Sequence, residues 1–503
     1  MEIWDDATLN INAGGLLKVE DQSEIIVKTG GRLYINNLAA LEMLGDSKLV
    51  VERGGELIVQ NGANLKLEKA ITDDELGSKI QIFGKLIADG GLLDVSQGLG
   101  YIVLEEGATF LNTNTLTMNW VGHGKEETAF IVRIPISTNL NTTFDNANIQ
   151  MERNINVKPA SLPKEVLVNN SILHPAFLYN KPEPIKLECK EGGNIIIKDS
   201  EFFRIMFDAD NFSQISMENT ISTSRDLQAN MKISNTGFLS LKNTEVYNEF
   251  IPALILPDGS IYERIGLDLN HVKYSILEST NIEHKITIGD NPETSGIINR
   301  NDNISPKVIS KAIRIENSSV LFMKNTLIKQ AGFGVYSSGA VSVIMDQSTI
   351  RDCFKEGIEM TGTNDAGLVR MTCSNLIYNA VGIAGIDITL DIDAFVLSQT
   401  LDGNVRSNTF KTEKNLQYFQ ICYQKKQPDP IVYARGNIWN YPISAYFQLE
   451  QSGDEERVIL NMIWKLSLIL FSILFMYHHV QNIRKKIVFH LLYQIFLWHQ
   501  MFG

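Results

Sequence analysis

Gly30-Gly31-Arg32-Leu33-Tyr34-Ile35 and Gly54-Gly55-Glu56-Leu57-Ile58-Val59 repeat one pattern at an interval of 24 residues. In each stretch a glycine pair, which tolerates positive φ, precedes a short alternating run suited to a pleated strand. The pattern also begins at Gly14 and, in a related form, at Gly62, so that successive starts differ by 16, 24 and 8 residues. Eight residues per strand and turn, three to a coil, predict a parallel β-helix with about 24 residues per coil.

A second form of the repeat replaces the glycine pair with asparagine. Met217-Glu218-Asn219-Thr220-Ile221 and Leu241-Lys242-Asn243-Thr244-Glu245 begin 24 residues apart, and Asn146 and Asn170 show the same interval. Asparagine adopts the left-handed region readily, and identical side chains in stacked coils can form a hydrogen-bonded ladder. The sequence therefore predicts asparagine ladders at the corners, with independent turn residues as the alternative.

The repeat continues toward the C-terminal half of the chain. Three segments align between Val320 and Ile388, and their glycines Gly334, Gly357 and Gly382 are spaced 23 and 25 residues apart. This spacing predicts further coils of the same solenoid.

Composition limits the class of protein. The 503 residues are 44% hydrophobic and 20% charged, which excludes wholesale disorder. The formal net charge of −13 argues against nucleic acid as a partner, because affinity for phosphate backbones depends on lysine and arginine.

These periodic segments resemble the right-handed parallel β-helix, or pectin-lyase-like, superfamily. The N-terminal glycine-pair repeats resemble large secreted and surface proteins of Gram-negative bacteria, notably of the Bacteroidota. The resemblance covers roughly residues 8 to 445, rests on periodicity and implies a fold rather than an activity. We expect an all-β chain in which residues 1–456 form a single right-handed β-helix of about nineteen coils.

The C-terminal segment has a different composition. Residues 457–503 contain no Asp or Glu and four of the eight histidines, and 458–477 are long and apolar enough for one membrane crossing. We expect a short hydrophobic helical tail over 457–503. A membrane anchor, a non-native extension and a buried helical cap all remain open, so a membrane is a predicted partner only if 458–477 is an anchor.

Acidic residues near the end of the aligned segments form a candidate metal site. The alternation from Ile386 to Asp393 places three carboxylates on one strand face, and two glutamates lie on the preceding coil. Oxygen ligands of this kind suit a hard cation. The predicted Ca²⁺ ligands are Asp387, Asp391, Asp393, Glu356 and Glu359, with a solvated acidic face as the alternative and no other cofactor expected.

Four aromatic residues are candidate platforms for sugar rings: Trp120, Tyr336, Tyr378 and Trp439. Their alternative role is packing in the core or at coil edges. Gly122-His123-Gly124 resembles one fragment of the polygalacturonase pattern, but the accompanying aspartates are missing, and we interpret it as a turn.

The predicted function is a non-catalytic cell-surface or secreted scaffold, such as a stalk, an adhesin or a glycan-contacting protein. Its expected partners are polysaccharides or other surface glycans. Its expected location is extracellular or at the cell surface, with membrane attachment through the C-terminal tail if that tail is an anchor. The alternative is a polysaccharide lyase or glycoside hydrolase acting on acidic polysaccharides. An enzyme should gather three or more charged side chains from adjacent coils into one groove, whereas a scaffold should scatter them.

Overall fold

The computed structural model of the chain is an all-β solenoid in which most strands pair in parallel with the strand three positions along the sequence. The structure describes residues 1–67, 77–89, 92–94, 100–112, 117–122, 130–175, 184–225, 229–250, 263–286, 310–318, 320–353, 355–362, 367–379, 381–386, 388–392 and 408–411, and the strands at 421–424, 431–433, 438–439, 447–449 and 459–461. The strands stack on the three faces of a parallel β-helix, which confirms the predicted fold class.

Face 1 is a single ladder of seventeen parallel strands. Its strands are Glu2–Ile3, Glu24–Val27, Lys48–Val51, Lys79–Ile82, Tyr101–Leu104, Phe130–Val132, Asn148–Met151, Ile172–Pro175, Glu201–Phe203, Ile221–Arg225, Glu245–Phe250, Asn281–Ile286, Leu327–Lys329, Thr349–Arg351, Asn375–Ile377, Thr409–Lys411 and Ile438–Trp439.

Face 2 begins with a five-stranded ladder and continues as a longer one. The first ladder contains Thr8–Ile11, Arg32–Ile35, Glu56–Gln60, Lys85–Asp89 and Thr109–Asn112. The second contains Ile136–Thr138, Ile155–Val157, the first parts of Lys186–Lys198 and Met206–Glu218, and then Ala229–Ser234, Arg264–Asn270, Ser310–Glu316, Phe333–Ser338, Glu356–Thr361, Val381–Ile386, Ile421–Gln424 and Phe447–Leu449.

Face 3 completes each coil. Its strands are Leu16–Val19, Ala40–Met43, Asn64–Leu67, Leu92–Asp94, Thr117–Val121, Asn141–Asp145, Glu165–Asn169, the second parts of Lys186–Lys198 and Met206–Glu218, Phe238–Lys242, Tyr274–Glu278, Val320–Lys324, Ser342–Asp346, Gly367–Thr372, Ile388–Asp391, Ile431–Tyr433 and Ile459–Asn461. The two long strands run from face 2 into face 3 without a break.

Apolar columns fill the interior along the axis. On face 2, Leu33 pairs with Leu57, which pairs with Leu86, and all three are at most 1% exposed. Alternation sends every second side chain inward, and a buried leucine contributes roughly 1.5–3 kcal/mol. Stacked inward positions therefore give each coil an apolar layer that continues into the next coil.

Corner residues in the left-handed region turn the chain between faces. Gly30 and Gly54 have φ of +76° and +83°, and Asn146 and Asn170 have φ of +50° and +45°. The Asn170 amide nitrogen donates a hydrogen bond of 2.7 Å to the side-chain oxygen of Asn146, one coil away. This contact confirms the predicted asparagine ladder at this corner.

The predicted tail is described only at its start. Ile459–Asn461 is a strand that pairs in parallel with Ile431–Tyr433 on face 3, and 462–503 lie outside the described residues. Across the described part of the chain, no helix is long and apolar enough to cross a membrane. The boundary at residue 456, the helical tail, the right hand of the solenoid and the count of about nineteen coils remain predictions.

Candidate functional site

Outward-facing side chains on four successive strands of face 2 form one row. Asp268 pairs with Arg314, Arg314 with Tyr336, and Tyr336 with Glu359. The inward neighbours Ile313, Val335 and Ile358 are fully buried, so alternation directs the row to the outside. We call this row and the side chains around it the face 2 cluster, which consists of Glu263, Asp268, Lys311, Arg314, Phe333, Tyr336, Lys355, Glu356 and Glu359.

Arg314 is the centre of an ion-pair network at one end of the cluster. Its guanidinium binds both carboxylate oxygens of Asp268, at 2.9 and 2.6 Å, and contacts Glu263 at 2.8 Å. The hydrogen bond to Asp268 raises the pKa of Arg314, against the opposing effect of burial. Because the Asp268 side chain is only 7% exposed, Arg314 compensates a carboxylate that water barely reaches.

Lys311 joins this network to the aromatic part of the cluster. Its side chain is 9% exposed, and Nζ lies 2.5 Å from Glu263 Oε1. The same nitrogen lies 3.4 Å from the centroid of the Tyr336 ring, a close cation–π contact. Burial, reinforced by the charges of Glu359 and Glu263, raises the pKa of the Tyr336 hydroxyl, so the phenol is neutral and can donate a hydrogen bond.

Phe333 and Lys355 extend the alternation of rings and cations. The Phe333 and Tyr336 rings meet edge to face, with centroids 5.7 Å apart. Lys355 Nζ lies 4.9 Å from the centroid of Phe333. Each of the two rings therefore has an ammonium group beside it. Phe333 is only 7% exposed, so it packs behind Tyr336, whereas the Tyr336 ring is partly exposed on face 2.

Glu356 and Glu359 are half-buried carboxyls on one strand of the cluster. Burial, together with the charge of Glu359, raises the pKa of Glu356 to about 7, although Lys355 opposes the shift. Burial also raises the pKa of Glu359, against the attraction of Lys311 and Lys355. Oε2 of Glu356 is buried and finds no hydrogen-bond partner among the described residues. This pair offers acceptors, and at neutral pH also a donor, to a bound molecule.

The structure separates the predicted calcium ligands. Asp391 lies on face 3, where Arg370 Nε donates to its Oδ2 at 2.7 Å, whereas Glu356 and Glu359 lie on face 2. Asp387 and Asp393 lie outside the described residues. Within the described ranges, no group of three or more His, Cys, Asp or Glu side chains is arranged to hold a metal ion. The calcium site as a whole remains a prediction.

The predicted aromatic platforms do not form one surface. Trp120 is 2% exposed and packs against Phe130, with centroids 4.9 Å apart, so it belongs to the core and presents no face to solvent. Tyr378 follows a strand of face 1 with φ of +57°. The backbone of Trp439 is on face 1, but its side chain lies outside the described residues, as does His123. Among the predicted platforms whose side chains the structure describes, Tyr336 alone joins the face 2 cluster.

Sequence reasoning missed the cationic half of the cluster. Lys311 and Arg314 pair across the ladder with a strand that begins at Arg264, 46 residues earlier. An insertion between these two strands hides the 24-residue period, so nothing in the sequence aligned them. The available signal was the alternation Lys311-Ala312-Ile313-Arg314-Ile315, which marks a strand with an outward arginine.

Comparisons with known proteins add little to this geometry. No family model and no curated protein matches the chain. Among solved structures, the chain is similar to the A-module of the mannuronan C-5 epimerase AlgE6 of Azotobacter vinelandii, at 9% identity over 83% of this chain and 90% of that one, with a TM-score of 0.24. Likeness at this level carries no argument about activity, and the β-helix assignment rests on the strand pairing. The predicted resemblance to Bacteroidota surface proteins has no support in these comparisons.

Proposed function

We propose that this protein is a non-catalytic extracellular scaffold that binds glycans through the face 2 cluster. The observation that carries the proposal is the convergence of Arg314, Tyr336 and Glu359 from three successive strands onto one outward surface. Lys311 supports this surface from below, since its buried ammonium group lies against the Tyr336 ring. A rigid ladder holds these groups at fixed spacing, which suits recognition of a repeating polymer.

The chemistry of the cluster matches that of sugars. Aromatic rings pack against the apolar faces of pyranose rings, and carboxylates accept hydrogen bonds from hydroxyl groups. Tyr336 supplies the ring, with the buried Phe333 packed edge to face against it, and Glu356 and Glu359 supply carboxyl oxygens on the adjacent strand.

Charge favours a neutral glycan over an acidic one. Arg314 and Lys311 are already neutralised by Asp268 and Glu263, and the whole chain carries a net charge of −13. An acidic polymer would meet repulsion with few unengaged cations to offset it. Neutral, hydroxyl-rich glycans need no such compensation.

One observation favours a second function, glycoside hydrolysis. A carboxyl group with a pKa of about 7, such as that of Glu356, retains a proton near neutral pH and can donate it to a glycosidic oxygen. A second carboxyl group would have to serve as base or nucleophile in its ionised form, and Glu359, on the same strand, is the candidate. Release of reducing ends from a glycan that the protein binds would support this function over the scaffold.

The test is a panel of immobilised glycans, neutral and acidic, probed with the purified full-length chain. We expect binding to neutral glycans, and a loss of about tenfold in affinity for Tyr336→Ala. The matched control is Tyr274→Ala, which removes a 46%-exposed tyrosine on face 3 with Lys273 Nζ 5.4 Å from its ring centroid. Equal affinity in both variants, or no binding to any glycan, would overturn the proposal.

A further inference from the structure

A column of polar side chains lies inside the apolar core of the solenoid. Ser224, Asn248 and His284 occupy equivalent positions on three successive strands of face 1, in direct register. They are 3%, 1% and 2% exposed. This column therefore lies on the inner side of the ladder, on the same side of each strand as the buried Val246 and Ile282.

One end of the column is well satisfied. The Ser224 hydroxyl donates to Asn230 Oδ1 at 2.8 Å, and the Asn248 amide nitrogen donates to the same oxygen at 3.2 Å. The Asn230 amide nitrogen donates to the main-chain carbonyls of Ser222 and Tyr247, both at 3.1 Å. Asn230 thus links face 2 to face 1 through side-chain hydrogen bonds.

The other end leaves two polar atoms without partners. His284 Nδ1 shares a 2.6 Å hydrogen bond with the Ser310 hydroxyl. His284 Nε2 and Asn248 Oδ1 are both buried and have no hydrogen-bond partner among the described residues. Burial lowers the pKa of His284 to about 3, so the ring is neutral, with one nitrogen as donor and the other as acceptor.

Leaving two buried polar atoms unpaired would cost the desolvation free energy of each, with no hydrogen bond to offset it. Proteins remove this cost with internal water molecules, which make two to four hydrogen bonds to otherwise unsatisfied groups. We propose that one buried water molecule binds in the core between Asn248 Oδ1 and His284 Nε2 and bridges the two side chains.

Either tautomer of His284 accommodates this water. If Ser310 donates to Nδ1, Nε2 carries the proton and donates to the water, which donates in turn to Asn248 Oδ1. If Nδ1 donates to Ser310, the water donates one hydrogen to Nε2 and the other to Oδ1. The bridge therefore requires no charged group in the core.

Gly266 keeps the ring edge of His284 clear. A Cβ atom at Gly266 would lie 2.9 Å from His284 Nε2 and 2.6 Å from the carbonyl oxygen of Ala312. Any side chain at this position would push the imidazole out of its place. The absence of a side chain at Gly266 thus preserves the polar end of the column.

A high-resolution crystal structure of the full-length protein tests the proposal. We expect a density peak within about 2.6–3.2 Å of both Asn248 Oδ1 and His284 Nε2. No peak, with the Asn248 amide rotated to contact His284 directly, would overturn it. Oxygen-17 relaxation dispersion gives a second measurement, because Asn248→Leu should remove one long-lived water from the count. An unchanged number of long-lived water molecules in a folded Asn248→Leu variant would also contradict the proposal. If the variant does not fold, the wild-type crystal structure alone tests the proposal.

Discussion

Lys311 Nζ lies 3.4 Å from the centroid of the Tyr336 ring, on the neighbouring strand of face 2, and 2.5 Å from Glu263 Oε1. One buried ammonium group therefore neutralises a carboxylate and holds an aromatic ring at the same time. The ring keeps its orientation without a ligand, so a sugar that packs against it has no ordering cost for this side chain.

The contact between Lys311 and Tyr336 should be measurable as a coupling energy. We expect Lys311→Met and Tyr336→Leu to show a coupling of about 1 kcal/mol in a double-mutant cycle, because each removes one half of a desolvated cation–π pair. The measurement is the free energy of unfolding from urea denaturation. Additive effects within about 0.3 kcal/mol would show that the two side chains do not stabilise one another.

Glu356 should make stability depend on pH. Its folded-state pKa of about 7 is above the ordinary 4.5, so the protonated form stabilises the fold. This contribution is fully present below pH 4.5 and is lost as the pH rises through about 7.

Glu356→Gln should therefore match the wild type near pH 4.5 and exceed its stability at pH 8 by about 1–2 kcal/mol, a value discounted for the partial exposure of the group. Urea midpoints across this pH range provide the measurement. The exposed Glu20→Gln is the matched control and should track the wild type. If the stability of Glu356→Gln changed with pH in parallel with that of the wild type, the raised pKa of Glu356 would be refuted.

Arg314 should be among the most sensitive charged residues. Arg314→Ala leaves the carboxylate of Asp268, whose side chain is 7% exposed, without its bidentate partner, at an expected cost of about 3–5 kcal/mol. Adding Asp268→Asn to the variant should restore part of this loss, because the uncompensated charge is removed. Arg153→Ala, at an exposed position, is the control. A loss no greater than that of the control would mean that water screens the pair.

Two substitutions at Asn170 should distinguish the stability that the ladder hydrogen bond contributes from the cost of left-handed backbone strain. Asn170→Gly retains access to the φ of +45° but loses the 2.7 Å bond to Asn146, at a cost of about 1 kcal/mol. Asn170→Ala loses the same bond and adds about 1 kcal/mol of left-handed strain. In thermal denaturation, the wild type should therefore have the highest Tm, Asn170→Gly an intermediate Tm and Asn170→Ala the lowest Tm. An alanine variant as stable as the glycine variant would contradict the corner geometry.

The fold could be predicted from the sequence because its period is visible at the corners. The positions that repeat every 24 residues, such as Gly30 and Gly54 or Asn146 and Asn170, are those that must adopt positive φ. The interval between these positions in the sequence therefore gives the number of residues in one coil.

The site could be predicted only in part. The sequence marks Tyr336 as a sugar platform and Glu356 and Glu359 as metal ligands, and it does not indicate that the three side chains lie together. Their neighbours Lys311 and Arg314 come from a coil whose insertion obscures the period, so their proximity depends on ladder register. Trp120 is buried and Tyr336 is partly exposed. The sequence around an aromatic residue in an alternating strand does not show whether its ring lies in the core or on the surface.

Hydrogen–deuterium exchange with a bound glycan locates the binding surface on the solenoid. With the full-length protein and the tightest neutral glycan from the panel, we expect slower exchange in Phe333–Ser338 and Glu356–Thr361, with little change in the face 3 strands Val320–Lys324 and Ser342–Asp346. Protection confined to faces 1 and 3, or no change in exchange at saturating glycan, would contradict glycan binding at the face 2 cluster.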